Sequence, residues 1–188
     1  NGYYAISSYI DNSNEAGGNP SGQSDLSNLL GFIESGSASQ TNGFKFKFSN
    51  DIYEMKKDHN ISEEYVSVHI RRGDKHIETS SSVKQVPHDS RPFDQTNFEN
   101  MVNNLFNDNK SVMLFSDSMV FKKLMSKKFD KLQCLDLKIG HTTWTNTSDE
   151  QIKNTVFEFY ILCNSIKIVA NCVSGFSKMA SAINKIDI

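Results

Sequence analysis

The stretch Tyr65-Val66-Ser67-Val68-His69-Ile70-Arg71-Arg72-Gly73-Asp74-Lys75 decides the fold of this chain. Its first part alternates β-branched residues with polar or aromatic ones, which predicts a strand. Its last part places arginines and a glycine at the carboxyl end of that strand, where open α/β sheets bind ligands. An arginine presents a planar fork that matches phosphate oxygens, and a glycine lets a ligand approach the backbone. The stretch therefore predicts an anion clamp made by Arg71 and Arg72, with Asp74 holding one guanidinium in place.

Two other interpretations fit the same residues. A solvated Arg-Arg turn with a surface salt bridge would contribute at most about 1 kcal/mol and bind nothing. Arg72-Gly73-Asp74 is also the tripeptide that adhesion receptors bind when it is displayed on an exposed loop tip. Because the tripeptide directly follows a predicted strand, we regard such display as less favoured, and the βα units that follow favour the anion clamp over the solvated turn.

Length and composition predict one ordinary domain with a buried core. The chain has 188 residues and a net charge of -2, so no basic field attracts nucleic acid or an anionic membrane. No apolar run reaches the roughly 20 residues of a membrane span. The cysteines lie in apolar stretches without a CxxC pair, which indicates core residues rather than a disulfide scaffold. The chain starts at Asn1, and we expect it to be a piece of a longer protein.

The chain divides by its pattern into two parts. Residues 1–60 read as a linker or a partial N-terminal segment, with a helix expected over 51–59. Residues 61–188 read as a Rossmann-like domain whose strands alternate with helices, which predicts an α/β fold with a parallel sheet and flanking helices. After the strand that ends at Ile70, further strands are expected at about 111–115, 132–137 and 166–173. A long polar loop over 75–95 is expected to be functional.

Helix starts follow from capping residues. Thr96 and Glu99 form a predicted capping box, and Ser148 with Gln151 forms another before a buried helix over 149–164. Ser118 is the expected cap of a helix whose apolar face carries Phe121, Leu124, Met125 and Phe129.

A second anion-binding feature follows the last strand. The turn Ser174-Gly175-Phe176-Ser177 opens the final predicted helix and offers backbone N–H groups and hydroxyls. A plain N-cap is the alternative interpretation of Ser174. Asp117 also follows a strand directly, and the carboxyl ends of parallel strands share one edge of a sheet. A diphosphate between the arginines and the serine turn is therefore expected, with each charge-assisted hydrogen bond contributing roughly 1.5–3 kcal/mol.

Other phosphate-binding machinery is missing from the sequence. It contains no GxxxxGK[ST] loop, no GxGxxG loop, no Asp-x-Asp pair and no His/Cys cluster with zinc spacing. We therefore expect a site without metal or cofactor, in which arginine and a helix end neutralise the phosphates.

Three segments of the chain resemble those of a known protein family. The residues from Val68 to Lys75 are similar to the HxRRxDK signature of the fucosyltransferase superfamily, and most similar to its α1,6 branch. The strand that ends Leu114-Phe115-Ser116-Asp117 is similar to that branch's strand ending in an acidic turn. The segment from Glu158 to Ser174 is similar to its buried helix, strand and serine turn. The likeness covers about residue 50 to the end.

The resemblance implies the C-terminal, donor-binding half of a GT-B glycosyltransferase that uses GDP-fucose without metal. It implies that Arg71 holds the β-phosphate, Arg72 supports the diphosphate, and His69 and Glu158 contact the guanine-ribose end. It further implies that Asp74 orients the arginines, that Asp117 occupies the acidic turn, and that Ser174 and the following Gly175 meet a phosphate. Glu158 stands where the family has Asp, and its longer arm changes how it would reach a base.

The implied reaction transfers fucose with inversion to a hydroxyl of a glycan or a protein. Glu78 is the expected general base, with His76 as an alternative, and Arg71 stabilises the leaving diphosphate. The family implies the Golgi or ER lumen in a eukaryote and the cytoplasm in a bacterium. Two rival functions remain: a transferase for another nucleotide sugar, and a non-catalytic binding or adhesion module that displays the Arg-Gly-Asp tripeptide.

Overall fold

The structure, a computed structural model, describes residues 48–73, 93–140, 147–172 and 174–188. In chain order its elements are α1 (Asn50–Asp58), β1 (Val66–Ile70), α2 (Gln95–Asn107), β2 (Val112–Ser116), α3 (Met119–Lys128), β3 (Leu132–Cys134), α4 (Asp149–Cys163), β4 (Lys167–Ala170) and α5 (Gly175–Asn184). None of these helices is both long and apolar enough to cross a bilayer.

The strands form one parallel sheet in the order β3-β2-β1-β4. The predicted α/β fold with a parallel sheet and flanking helices is therefore confirmed. The chain runs outward from β1 through β2 to β3 and then crosses to β4 on the other side of β1. This reversal creates a topological switch point between β1 and β4, and ligands of open α/β sheets bind at the carboxyl ends of the strands beside such a point.

The two faces of the sheet carry separate apolar clusters because strand side chains alternate. Val68 and Ile70 of β1 face the cluster under α2 and α3, which includes Phe98 and Phe121. The cluster on the opposite face holds Phe115 of β2 and Ile168 of β4 together with residues of α1, α4 and α5. His69 pairs in register with Phe115 and Ala170, so it belongs to this second face.

Helix α4 forms the centre of the second cluster. Its capping box is confirmed, because Ser148 Oγ accepts from Gln151 N at 3.2 Å and Gln151 Oε1 accepts from Ser148 N at 3.0 Å. Phe157 and Ile161 are fully buried. From Phe48 onward the described N-terminal residues share this core, since the Phe48 ring lies 4.9 Å from the Tyr160 ring and Ile52 is fully buried.

The start of α2 differs from the prediction. Asp94, not Thr96, is the N-cap, and its Oδ1 accepts from Asn97 N at 3.0 Å. An aspartate caps a helix better than a threonine, so the helix begins earlier than the sequence pattern suggested. Glu99 accepts instead from Gln95 Nε2 at 2.8 Å, one turn back along the same helix face.

The outer strands are shorter than predicted. β3 ends at Cys134 and β4 at Ala170. Each pairs with one neighbour only within the described residues, so its length is limited by that single ladder. The early end of β4 matters for the site, because Asn171, the residue that follows it, contacts the end of β1.

Candidate anion-binding site

The candidate site lies at the switch point, where β1 and β4 end side by side. Arg71 follows β1 and Asn171 follows β4. The Asn171 side chain joins the two ends, because its Oδ1 accepts from Arg71 N at 2.9 Å and its Nδ2 donates to Arg71 O at 3.1 Å. Sequence reasoning missed Asn171. The only signal was a polar residue at the end of an apolar strand.

The residues gathered where β1 and β4 end, called the β1/β4 crevice below, include His69, a buried side chain with one ring nitrogen that has no hydrogen-bond partner among the described residues. It is 8% exposed, its ring lies 5.6 Å from the Phe176 ring, and its Nδ1 has no partner within the described part of the chain. Burial, with a smaller contribution from the charge of Arg71, lowers the pKa of His69 to about 4. The imidazole is therefore neutral at physiological pH, and it can donate or accept a hydrogen bond without carrying charge.

The N-terminus of α5 reaches the same crevice. Ser174 is the N-cap of this helix, as the alternative interpretation of the residue expected, since Ser174 Oγ accepts from Phe176 N at 3.2 Å. The contact between His69 and Phe176 holds this helix start against the end of β1. Gly175 is the first helical residue, and N–H groups in the first turn of a helix attract anions. The structure thus brings His69, Arg71, Ser174 and Gly175 together, while their binding roles stay predictions.

Arg72 occupies the opposite side of β1. Its guanidinium lies 4.6 Å from the centre of the Phe93 ring and 5.3 Å from that of Phe121, in the cluster under α2 and α3. Successive residues of an extended chain point to opposite faces, so Arg71 and Arg72 separate at the strand end. The sequence suggested two guanidiniums beside one anion. In the structure only Arg71 shares a face with His69, and a supporting role of Arg72 stays a prediction.

Asp117 holds the backbone beyond β1. Its Oδ1 accepts from Arg72 N at 2.7 Å and its Oδ2 accepts from Gly73 N at 2.8 Å. Gly73 is buried and has a φ of 111°. Residues with a Cβ atom adopt that backbone conformation only with strain. The acidic turn after β2 therefore shapes the chain of the Arg-Arg-Gly stretch, and any direct contact with a ligand stays a prediction.

Glu158 lies inside the domain as half of an ion pair. Its Oε1 accepts from Lys122 Nζ at 2.7 Å, and the two side chains are 3% and 1% exposed. Burial raises the pKa of the Glu158 carboxyl, and the Lys122 ammonium opposes that rise. Glu158 is thus paired and buried inside the domain, and its contact with a guanine-ribose group stays a prediction.

Lys122 itself was missed by the sequence analysis. Leu124 was expected in the core of α3, but it is 55% exposed, so that prediction is wrong. The buried face of the helix carries Phe121, Lys122 and Met125 instead, because α3 turns Lys122 toward the carboxylate of α4. The sequence gave no sign of this, because Lys122 is one of two adjacent lysines and nothing in the pattern says which of them is buried.

Asp74, Glu78 and His76 lie outside the described residues, so the expected base and the expected partner of the arginines stay predictions. The described ranges contain no group of three or more His, Cys, Asp or Glu side chains arranged to hold a metal ion. A cavity of about 560 Å³ lies along the β3 edge of the sheet, and its walls include residues of α3, β3 and the segment after α1. It is distinct from the β1/β4 crevice, since none of the residues gathered there lines it.

Comparison with known proteins gave similarities of structure alone. No family model and no curated protein matches the chain. The chain is similar to the α1,6-fucosyltransferase NodZ co-crystallised with GDP, at 14% identity over 72% of this chain and 42% of that one, with a TM-score of 0.43. POFUT1 in complex with GDP-fucose gives 17% identity over 75% and 45%, with a TM-score of 0.44. NodZ soaked with GDP-fucose gives 13% over 88% and 60%, with a TM-score of 0.44.

The chain therefore spans between 42% and 60% of the length of these three solved structures. Identities and TM-scores this low do not establish a shared ligand or activity. The choice of a ligand for this chain depends on the residues of the crevice and on the sequence motif that leads into it.

Proposed function

We propose that the β1/β4 crevice binds a nucleotide sugar, and that the chain is the donor-binding part of a glycosyltransferase that uses GDP-fucose. The observation that carries this proposal is the meeting of three groups at the switch point: Arg71, the N-terminus of α5, and buried His69, whose Nδ1 has no partner among the described residues. A cation, a neutral hydrogen-bonding ring and a helix start suit a diphosphate with an attached polar group. The resemblance of residues 68–75 to the HxRRxDK signature selects GDP-fucose within that class.

In the proposed reaction an acceptor hydroxyl of a glycan or protein attacks the anomeric carbon of fucose from the side opposite the diphosphate. The bond between that carbon and the β-phosphate oxygen breaks, and GDP leaves. Arg71 stabilises the charge that develops on the leaving oxygen, and Ser174 with the first turn of α5 binds the phosphates. Glu78 takes the proton of the acceptor hydroxyl. In this scheme arginine and the helix start replace a metal ion.

The adhesion alternative fits the described residues poorly. An Arg-Gly-Asp tripeptide must be exposed to meet a receptor, whereas Gly73 is buried and the N–H groups of Arg72 and Gly73 both donate to Asp117. The guanidinium of Arg72 also packs over two aromatic rings. These contacts favour a strand end that is packed into the fold over an exposed loop.

A calorimetric titration of the purified chain with GDP, UDP, ADP and CMP tests the proposal. We expect GDP to bind most tightly, and Arg71→Ala to weaken GDP binding by about 1.5–3 kcal/mol, or roughly 10- to 150-fold, through the loss of charge-assisted hydrogen bonds. Lys167→Ala is the matched control, because it removes an exposed positive charge at the opposite, amino end of β4.

Each result has a clear meaning. Tightest binding of another nucleotide would keep the donor site but assign it to a different sugar nucleotide. GDP binding that is equal in the wild type and in Arg71→Ala would remove Arg71 from the site. No binding of any nucleotide by the wild-type chain would end the proposal.

A further inference from the structure

The Asn171 side chain continues the sheet beyond the point where β4 ends. The β1–β4 pairing runs through His69 and Ala170, and Asn171 N donates to His69 O at 3.3 Å. At the next position of β1 the contact across to this side comes from a side chain. The Asn171 carboxamide takes over, with its Oδ1 on Arg71 N at 2.9 Å and its Nδ2 on Arg71 O at 3.1 Å.

A carboxamide suits this position because it carries the same groups as a peptide unit, one acceptor oxygen and an N–H donor on one carbon. It therefore satisfies both backbone groups of Arg71 from a side chain, just past the last paired residue of β4. The regular pairing of β1 and β4 can therefore end here without leaving the backbone of Arg71 unpaired on this side.

We propose that Asn171 is a positioning residue that fixes the direction of the Arg71 side chain toward the bound phosphate. This inference rests on the proposed function. Asn171 contacts the backbone of Arg71, and Asp117 holds Arg72 and Gly73 immediately beyond. The backbone is thus held at Arg71 by Asn171, from the β4 side of the switch point, and directly after Arg71 by Asp117, from the β2 side. The effect of Asn171 on a ligand passes through Arg71, since the carboxamide both donates to and accepts from the backbone of that residue.

The first test needs no ligand. Hydrogen exchange of the Arg71 amide, followed by NMR, measures whether the carboxamide protects that N–H. We expect Asn171→Ala to speed its exchange by about tenfold, the change that the loss of one hydrogen bond produces. Asn164→Ala is the matched control, because Asn164 also bonds a backbone carbonyl, that of Tyr160, but lies at the opposite edge of the sheet.

The second test is a double-mutant cycle in GDP binding, measured by calorimetry. We expect Asn171→Ala to weaken binding about tenfold in the wild type. In the Arg71→Ala background we expect it to weaken binding less than twofold, because the residue through which it acts is already gone. A residue that only supported the fold would weaken binding equally in both backgrounds. Asn171→Ser, which is too short to reach both backbone groups, repeats the cycle if the alanine variant does not fold.

The outcomes separate this inference from the proposed function. Equal losses in the two backgrounds, or unchanged exchange of the Arg71 amide in Asn171→Ala, would overturn the role of Asn171 even if GDP binds normally. A wild-type chain that binds no nucleotide would overturn the proposed function and, with it, the role toward phosphate. Faster exchange together with a loss confined to the wild-type background would support the inference.

Discussion

Arg71 and Arg72 are adjacent at the end of β1 but lie in different surroundings. We call the side that faces β4 the β4 flank and the side that faces β2 the β2 flank. On the β4 flank, Arg71 lies beside a neutral histidine, an asparagine clamp and a helix N-terminus. On the β2 flank, Arg72 lies over the Phe93 and Phe121 rings while its backbone N–H donates to Asp117. The first flank gathers a cation, a neutral ring and a helix start, which suit an anionic ligand, and the second places aromatic rings and a carboxylate in contact with Arg72.

The difference shows how a strand distributes two adjacent residues of the same type. Alternation sends one guanidinium to each face of the sheet, so a pair in the sequence does not become a pair in space. We therefore expect substitutions on the β2 flank to change mainly the stability of the fold. Substitutions on the β4 flank should change mainly ligand binding and the dependence of stability on pH.

The largest expected effect comes from the β2 flank. Asp117→Ala leaves the N–H groups of Arg72 and Gly73 without their carboxylate, and hydrogen bonds to a charged group contribute about 1.5–3 kcal/mol each. We expect the free energy of unfolding in urea to fall by about 3–5 kcal/mol. Asp117→Asn should cost about half as much, because its amide oxygen can still accept one of the two bonds.

Asp130→Ala is the control, since it removes an exposed carboxylate and should change stability by less than about 0.5 kcal/mol. If Asp117→Ala were as mild as that control, the carboxylate would not be what holds the β2 flank. The contrast between the flanks would then lose its main support.

The next effect belongs to the β4 flank and appears as a dependence on pH. The folded pKa of His69, about 4, lies below the ordinary value of 6.5, so the unfolded chain takes up a proton first as the pH falls. The stability due to the neutral buried ring is complete above about pH 6.5 and is lost as the pH falls toward 4, by as much as about 3 kcal/mol. Urea unfolding of wild type and His69→Gln from pH 7 to pH 4 measures this loss.

The difference in stability between the two proteins is the informative quantity, because carboxyl groups titrate in both over the same range. We expect that difference to move against the wild type as the pH falls. Arg71→Met should reduce the movement, because the charge of Arg71 contributes to the lowered pKa of His69. A difference that stays constant from pH 7 to pH 4 would show that His69 is not held neutral on this flank.

Much of the fold could be predicted because its signals are local. The capping residues Ser118 and Ser148 fix helix starts through bonds within the same turn. Strands that alternate with helices predict a parallel sheet with right-handed crossovers. The errors have local causes as well: Asp94 competes successfully with Thr96 for the start of α2, and the ends of β3 and β4 depend on how many neighbours each strand has.

The site was less predictable, because its contacts join distant parts of the chain. The sequence placed Arg71, Asp117 and Ser174 at one edge of a sheet, since each follows a predicted strand. It could not show that Lys122 pairs with Glu158 across two helices. It also could not show that Asn171 reaches the backbone of Arg71, a contact between residues 100 positions apart. Such partners depend on packing that no short motif records.

The smallest expected effect comes from substituting methionine for each arginine in turn. Because the change is the same at both positions, it compares the two flanks directly. Arg72→Met keeps an apolar stem but removes the guanidinium from the Phe93 and Phe121 rings, and such cation–π contacts contribute about 0.5–2 kcal/mol. We expect it to lower the free energy of unfolding by about 1 kcal/mol. Arg71→Met should lower stability less than Arg72→Met does, yet weaken GDP binding about tenfold more.

The separation of the two flanks predicts that Arg72→Met has the larger effect on stability and Arg71→Met the larger effect on GDP binding. If Arg72→Met weakened GDP binding as much as Arg71→Met, both guanidiniums would act on one diphosphate, as the sequence alone suggested. The aromatic contacts of Arg72 would then have to open when the ligand binds. If neither variant affected binding while both lowered stability, the β4 flank would be a second structural junction, and the anion site would have to be sought elsewhere in the chain.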